Sequence, residues 1–251
     1  MPRHLRHTFL YAAAMCFITG ILEFNTGLAL AQEQASVPDY RAIFKEDYLY
    51  AENILEKNSW WADTLDAHNI DHRFALAIVF PELIRYSSII DYIQIKALEV
   101  LYVQYGEDYA DFSIGYFQMK PSFAEHIEAD ILEHGLLIPY PDLARLHPDT
   151  LDDPAHRTAR IERLRDEQFQ LLYLEAFLRI MNYLHPPPAS YKPVESTLEF
   201  YATAYNVGYY KKERFINDNI HEKFFYTGLG IVNEYYNYAS ISIWYYFGQK
   251  Y

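Results

Sequence analysis

Three separated stretches of the chain contain residues whose types could carry out chemistry. The first is Glu82, which follows an apolar run at residues 75–80. The second stretch, residues 115–122, reads GYFQMKPS, and the third, residues 204–208, reads AYNVG. Each string alone is a weak pattern, because a glycine and a glutamine three residues apart occur by chance, and AYNVG is also an ordinary helix end with glycine after the last turn. The three stretches indicate a functional site only if folding brings them close to one another.

Glu82 is a candidate proton donor. A carboxyl group keeps its proton at neutral pH only when its pKa is raised, usually by removal from water, and a rise of one unit costs about 1.4 kcal/mol. The apolar run before Glu82, and the helix perturbation expected at Pro81, predict a half-buried carboxyl group. The alternative is that Glu82 pairs with Arg85 on a solvated helix face.

The two strings supply polar groups that are suited to holding a substrate. Gly115 would let the backbone pass close to a ligand, with a plain turn as the alternative. Gln118 offers both a hydrogen-bond donor and an acceptor, with a solvent-facing side chain as the alternative. Tyr205 and Asn206 lie on a later helix, where the alternatives are a core residue and a helix cap. With Tyr116 beside the glycine, these five residues are the candidate substrate-binding set.

The glutamate and the two strings, in this order, resemble the lysozyme-like domain of soluble lytic transglycosylases and goose-type lysozymes. In that family a helix delivers a glutamic acid, a G-L-M-Q-I-M-P-S type stretch follows, and A-Y-N-A-G comes later. The resemblance covers roughly Asp71 to Gly208. The matching positions are Gly115, Gln118, Pro121 and Ser122 in the first string, and Ala204, Tyr205, Asn206 and Gly208 in the second.

The resemblance implies a function as well as a fold. It implies cleavage of the β-1,4 bond between N-acetylmuramic acid and N-acetylglucosamine in peptidoglycan glycan strands. Glu82 would donate a proton to the leaving oxygen and then take one from the muramic acid 6-hydroxyl, which closes an anhydro ring while the N-acetyl group stabilises the cation. The family also places the tyrosine of the second string, here Tyr205, beside the glutamate. No cofactor is implied.

Two alternatives to this function remain open. Hydrolysis by a muramidase needs a second carboxylate, and Glu99, Asp108 and Asp111 lie between Glu82 and the first string, although each is also an ordinary surface charge. A non-catalytic glycan-binding envelope protein on the same fold is the other alternative. The sequence departs from the family in two respects: Leu83 stands where a serine usually follows the glutamate, and a whole extra helix is expected before Gly115.

The charge and the N-terminus indicate where the protein acts. The formal net charge of −13 argues against a nucleic-acid partner, because an acidic protein repels polyanions. Two arginines, an apolar run at residues 9–22 and small residues at 29–31 predict a signal peptide at 1–31, with a retained anchor as the alternative. We expect export to the periplasm or cell envelope, or to the medium, with no stable membrane span after cleavage. The only cysteine, Cys16, lies in that leader, so neither a disulfide nor a thiolate metal site is expected.

The elements that must position these residues are mainly helical. We predict a mainly α, lysozyme-like single domain at 71–210, with an N-terminal helical flank at 32–70 and a C-terminal aromatic helical extension at 211–251. His68 and His72 have the spacing of two metal ligands, but no third ligand accompanies them, so no metal site is expected. The residues 111–120 read as an extended turn or short strand pair. Helices are predicted over about 40–67 with a break at 58–59, 72–82, 91–103, 121–132, 156–184, 194–206 and 232–247.

Overall fold

The computed structural model describes residues 38–86, 92–148, 151–186, 194–227 and 234–248. The leader predicted at residues 1–31 lies outside these ranges. Residues 40–251 group as one compact unit. Within the described ranges no helix is both long enough and apolar enough to cross a membrane.

The described residues are mainly helical, as the sequence predicts. A short 3-10 helix at Pro141–Leu146 lies between two of the predicted helices. The helices are α1 (Tyr40–Phe44), α2 (Glu46–Lys57), α3 (Trp60–Ala67), α4 (His72–Tyr86), α5 (Tyr92–Tyr105), α6 (Pro121–Glu133), α7 (Pro154–Arg165), α8 (Glu167–Leu184), α9 (Val194–Val207), α10 (Glu213–Asn219) and α11 (Tyr238–Gly248); the strands are β1 (Lys223–Phe225) and β2 (Tyr236–Asn237).

Helix α4 is the central helix of this arrangement. Its first turn is capped by Asp71, whose carboxylate accepts hydrogen bonds from the backbone N–H groups of Arg73 and Phe74. All ten residues from 75 to 84 are buried. Pro81 was predicted to kink or end this helix near Glu82; the helix does not end there, because α4 continues to Tyr86. Burial on every face outweighs the roughly 3 kcal/mol that a proline costs inside a helix.

Helices from both sides of α4 in the sequence pack around it. Helices α2 and α3 pack on it from the N-terminal side of the chain, and α9 and α11 pack on it from the C-terminal side. Helix α8 also contacts α4 and packs against α6. The helical flanks predicted at 32–70 and 211–251 therefore contribute helices to the same core as the segment between them.

Two of the predicted helices are divided in the structure. The predicted helix over 40–67 breaks at 58–59 as expected, but it also breaks at Lys45, where φ is +47°. The predicted helix over 156–184 is two helices, α7 and α8, separated at Asp166. The Asp166 carboxylate accepts hydrogen bonds from the N–H groups of Gln168 and Phe169, which makes it the N-cap of α8. Aspartate is a common N-cap, so this second break had a signal in the sequence.

A tight turn precedes α6, as the alternating pattern at 111–120 predicts. Ile114 and Met119 exchange both backbone hydrogen bonds, and Gly115 accepts a further one from the N–H of Gln118. Gly115 and Gln118 both have positive φ values, +72° and +50°. Pro121 then begins α6, where its missing N–H has no helical partner to lose.

The C-terminal segment differs from its prediction. The helix predicted over 232–247 begins only at Tyr238, and residues 228–233 lie outside the described ranges. Before it, β2 pairs antiparallel with β1. Asn237 fixes this junction, since its side-chain amide donates to the carbonyls of Ile220 and Glu222 and its oxygen accepts from the N–H of Ser240.

Candidate active site

A cavity of about 110 Å³ opens where α4, the turn before α6 and the end of α9 meet. Small-molecule sites usually begin at about 300 Å³, so this cavity can enclose only part of one sugar ring. A longer chain would have to lie outside it. Its lining includes four of the six predicted site residues: Glu82, Gln118, Tyr205 and Asn206.

Glu82 lies on the buried part of α4 and is only 4 % exposed. Burial raises the pKa of its carboxyl group above the ordinary value, because the charged form loses its hydration. The charge of Arg85, a hydrogen bond with the Tyr238 hydroxyl and the charge of Lys120 oppose this rise in pKa without cancelling it. The carboxyl group therefore lies in the wall of the cavity, in an environment that favours retention of its proton.

The predicted ion pair between Glu82 and Arg85 is present, but it is not on a solvated face. The Arg85 Nη1 lies 3.1 Å from one carboxylate oxygen and 3.4 Å from the other. The same guanidinium group lies over the ring of Phe225 on β1, 4.7 Å from its centroid. Arg85 thus links the acid to the C-terminal hairpin, and it also lines the cavity.

Tyr238 is a site residue that the sequence did not reveal. It is the first residue of α11, and its hydroxyl donates to the carbonyl of Ile78 at 2.9 Å. The hydroxyl also hydrogen-bonds with Glu82. Since a hydroxyl group carries one hydrogen, it can donate to Ile78 while accepting from protonated Glu82, or donate to ionised Glu82 instead. The two protonation states of the acid therefore have different hydrogen-bond patterns.

The turn before α6 is tied to α9 by Tyr205. The buried Tyr205 hydroxyl donates to the carbonyl of Phe117 at 2.7 Å. Tyr205 also lies close enough to Glu82 for the two groups to interact electrostatically, which together with burial raises the pKa of the phenol well above its ordinary value. A neutral phenol oxygen beside the acid is therefore maintained at physiological pH.

Gln118 presents an unused acceptor at the cavity. Its amide nitrogen donates to the carbonyl of Gly115 at 2.6 Å, which holds the side chain in place. Its amide oxygen is buried and has no hydrogen-bond partner among the described residues. A buried acceptor without a partner costs about 1–3 kcal/mol, and a donor on a bound ligand would recover that energy.

Gly115 and Tyr116 do not line the cavity. A side chain at Gly115 would overlap the amide of Gln170, not a substrate, so the glycine is required by internal packing. Tyr116 packs its ring against Trp61 and Tyr86, at 5.8 and 4.7 Å between ring centroids. Both residues therefore lie outside the cavity lining, and a role for them in ligand binding stays a prediction.

The three carboxylates considered as partners for Glu82 lie elsewhere. Glu99 is buried in ion pairs with Lys96 and Arg165, and Asp108 is exposed. Asp111 accepts hydrogen bonds from the N–H and the hydroxyl of Ser122, so it anchors the start of α6. Among the described residues that line the cavity, Glu82 is the only carboxylic acid.

The two histidines with metal-ligand spacing have other partners. His68 Nδ1 lies 2.7 Å from the buried carboxylate of Glu175, and His72 Nδ1 lies 2.8 Å from Asp66. In the part of the chain that the structure describes, no group of three or more histidine, cysteine, aspartate or glutamate side chains could hold a metal ion.

Further residues complete the cavity rim. Tyr210 stacks on His126, with 3.7 Å between ring centroids and 11° between ring planes, and it hydrogen-bonds with Ser122. Lys120 precedes α6 and pairs with Asp111 at 3.4 Å. Lys120 and Tyr210 lie next to the two sequence strings, so closeness in sequence was their available signal. Tyr238 had none, because it lies 30 residues after the second string.

Comparisons with known proteins give no match that could be set beside this site. No protein-family model matches the chain, and no curated protein or solved structure shows significant similarity to it.

Proposed function

We propose that the protein cleaves peptidoglycan glycan strands as a lytic transglycosylase on a lysozyme-like fold, with Glu82 as its general acid and base. The observation that carries this proposal is the position of Glu82: a buried carboxyl group with a raised pKa, in the wall of a cavity that Gln118, Tyr205 and Asn206 also line. These four residues come from three stretches of chain that resemble the motifs of that family. Export from the cytoplasm is part of the proposal.

The proposed reaction uses one carboxyl group twice. Protonated Glu82 gives its proton to the oxygen of the N-acetylglucosamine that leaves, as the bond from that oxygen to C1 of N-acetylmuramic acid breaks. The N-acetyl carbonyl stabilises the positive charge at C1. The 6-hydroxyl then bonds to C1 and its proton passes to the Glu82 carboxylate, which restores the acid and leaves a 1,6-anhydro ring.

The surroundings of Glu82 suit both halves of this cycle. Burial favours the protonated form before cleavage, and the Tyr238 hydroxyl is placed to stabilise the carboxylate that forms afterwards. The Tyr238 hydroxyl can accept a hydrogen bond from protonated Glu82 and donate one to ionised Glu82, so it can bind both forms without a shift of its ring. The absence of a second carboxylic acid from the described lining favours the internal 6-hydroxyl over an activated water molecule as the nucleophile.

The product identifies the reaction. Purified sacculi are digested with the wild-type protein and the soluble muropeptides are analysed by mass spectrometry. Anhydro ends, which are lighter by one water molecule than hydrolysed ends, support the proposal. Reducing ends show a hydrolytic muramidase. Glu82→Gln should lower the rate by about 10²- to 10⁴-fold, the usual range for loss of a general acid.

Glu56→Gln is the matched control, since Glu56 is an exposed glutamate on α2, and it should retain the wild-type rate. If the wild-type protein co-sediments with sacculi but releases no product, the non-catalytic glycan-binding protein is the correct alternative. If it neither binds nor cleaves sacculi, a peptidoglycan function is wrong.

A further inference from the structure

Two cations face the cavity of a strongly acidic protein. Arg85 and Lys120 both belong to its lining, whereas the whole chain has a formal net charge of −13. The positive charge is therefore a local feature of the cavity, because the surface of an acidic protein as a whole repels anions. Proton donation by Glu82 does not require these cations either, because both of them lower the pKa of the acid.

Arg85 retains unused capacity for hydrogen bonding. Only its Nη1 contacts Glu82, and its Nε is buried without a hydrogen-bond partner among the described residues. The ring of Phe225 under the guanidinium group fixes its plane. Guanidinium groups held in this way bind carboxylates through two parallel hydrogen bonds.

Lys120 is a second and more exposed cation. It lies directly before α6, its side chain is about half exposed, and its ammonium group pairs with Asp111 at 3.4 Å. Asp111 is already engaged by the N–H and the hydroxyl of Ser122. The ammonium group can therefore approach an anion in the cavity while Asp111 keeps its partners at the start of α6.

We propose that Arg85 and Lys120 form a recognition site for a carboxylate that the glycan carries next to the bond that is cleaved, and that this carboxylate draws Arg85 away from Glu82. This inference rests on the proposed function. In peptidoglycan such a carboxylate has two sources: the lactyl group of muramic acid in peptide-free strands, and the stem peptide in substituted strands. Both present the same chemistry to Arg85.

The carboxylate would couple recognition to catalysis. The charged groups that face Glu82 are Arg85 on the same helix and Lys120 before α6, and the neutral titratable groups are the phenols of Tyr205 on α9 and Tyr238 on α11. Of these, Arg85 is the cation in direct contact with the acid. A substrate carboxylate that takes over Arg85 removes the contact that most favours ionised Glu82, so the correct substrate helps the acid keep its proton.

The test compares strands that differ only in charge. Peptide-free strands and peptide-bearing strands are each prepared with free carboxylates and with carboxylates converted to amides, and kcat/KM is measured for all four. A charged hydrogen bond contributes about 1.5–3 kcal/mol, so amidation should lower kcat/KM by about 10- to 100-fold in the series that supplies the carboxylate. Equal rates for free and amidated strands in both series overturn the proposal.

Variants assign the effect to the two cations. In Arg85→Gln the ratio of free to amidated kcat/KM should fall to near one, and in Lys120→Gln it should fall part of the way. Arg41→Gln is the control, because Arg41 also pairs with a glutamate and lies over a tyrosine ring but is exposed. Its ratio should equal that of the wild type. An unchanged ratio in Arg85→Gln contradicts the proposal. If that variant fails to fold, the comparison of the four substrates with the wild-type protein still tests the proposal.

A binding measurement separates this inference from the proposed function. The dissociation constant of the N-acetylglucosaminyl-N-acetylmuramic acid disaccharide is compared with that of its lactyl amide by calorimetry. If strands are cleaved without regard to charge, the function stands and the recognition site is wrong. If no strand is cleaved but the free acid binds at least tenfold more tightly than the amide in an Arg85-dependent way, the site stands and the function is wrong. If the strands are not cleaved and the disaccharide does not bind, both the function and the recognition site are wrong.

Discussion

Gln170 occupies the space into which a side chain at Gly115 would project. The Gln170 amide oxygen also accepts a hydrogen bond from the N–H of Phe117 at 3.1 Å, and the residue is buried on α8. A residue of a distant helix therefore holds the turn that carries Gln118. The glycine is required by this internal contact as well as by its positive φ.

Gly115→Ala should destabilise the fold by about 2–4 kcal/mol, because it adds an overlap with Gln170 to the roughly 1–2 kcal/mol cost of a left-handed backbone. Gly135→Ala is the control, since Gly135 has φ of +64° but nothing within 4 Å of the added methyl group. Its free energy of unfolding should fall only by the roughly 1–2 kcal/mol that a left-handed backbone costs. The free energy of unfolding in urea gives both values. Equal losses in the two variants would contradict the role of Gln170.

Glu128→Gln should destabilise the protein by about 3–5 kcal/mol, the cost of breaking a buried ion pair. Glu128 is 1 % exposed and contacts Arg160, Arg163 and the Tyr173 hydroxyl. Both guanidinium groups would lose a charged partner inside the protein. Glu52→Gln removes the exposed pair with Arg41 and should cost less than about 1 kcal/mol. A loss at Glu128 as small as at Glu52 would refute this account.

Tyr238→Phe should lower kcat about tenfold, since one hydrogen bond to the acid contributes about 1–1.5 kcal/mol. The same hydrogen bond lowers the pKa of Glu82, so its loss raises that pKa. Cleavage requires the protonated acid, and the alkaline limb of the pH profile should therefore move to higher pH. Tyr201→Phe, which loses a hydrogen bond to Asn182 away from the cavity, should change neither value. Superimposable profiles for Tyr238→Phe and the wild type would exclude this positioning role.

Glu82→Gln should stabilise the protein relative to the wild type as the pH rises. Below the ordinary pKa of 4.5 both the folded and the unfolded carboxyl groups are protonated. Above it the unfolded state ionises first, because the folded pKa is raised, so wild-type stability falls as the pH rises towards the folded pKa. The glutamine variant lacks this loss. Urea unfolding from about pH 4 to pH 7 measures the difference, and a difference that does not grow with pH would contradict a raised pKa of Glu82.

The sequence predicts the helical class and much of the candidate site. Caps and terminators are local signals, so Asp71, Pro121 and Asn58 placed helix boundaries correctly. Residues of both strings also line the cavity with Glu82, an arrangement that the family resemblance implies.

Features that depend on distant contacts could not be predicted. Helix α4 continues past Pro81 because it is buried on every side, and the break at Lys45 has no glycine or proline to announce it. Burial of the Glu82–Arg85 pair depends on Phe225 and Tyr238, which are far away in the chain. The sequence predicted a half-buried Glu82, with a solvated pair with Arg85 as the alternative, whereas the structure has a buried Glu82 that also pairs with Arg85.

The packing of α11 on α4 has a consequence for when the site can exist. Tyr238, which hydrogen-bonds with Glu82, and Phe225, which lies under Arg85, leave the ribosome after every residue that lines the cavity. A nascent chain that ends before them has its glutamate but not the C-terminal residues that pack around the acid and Arg85. The cavity and its buried acid therefore reach their folded arrangement only once synthesis has passed Tyr238 and α11 can pack on α4.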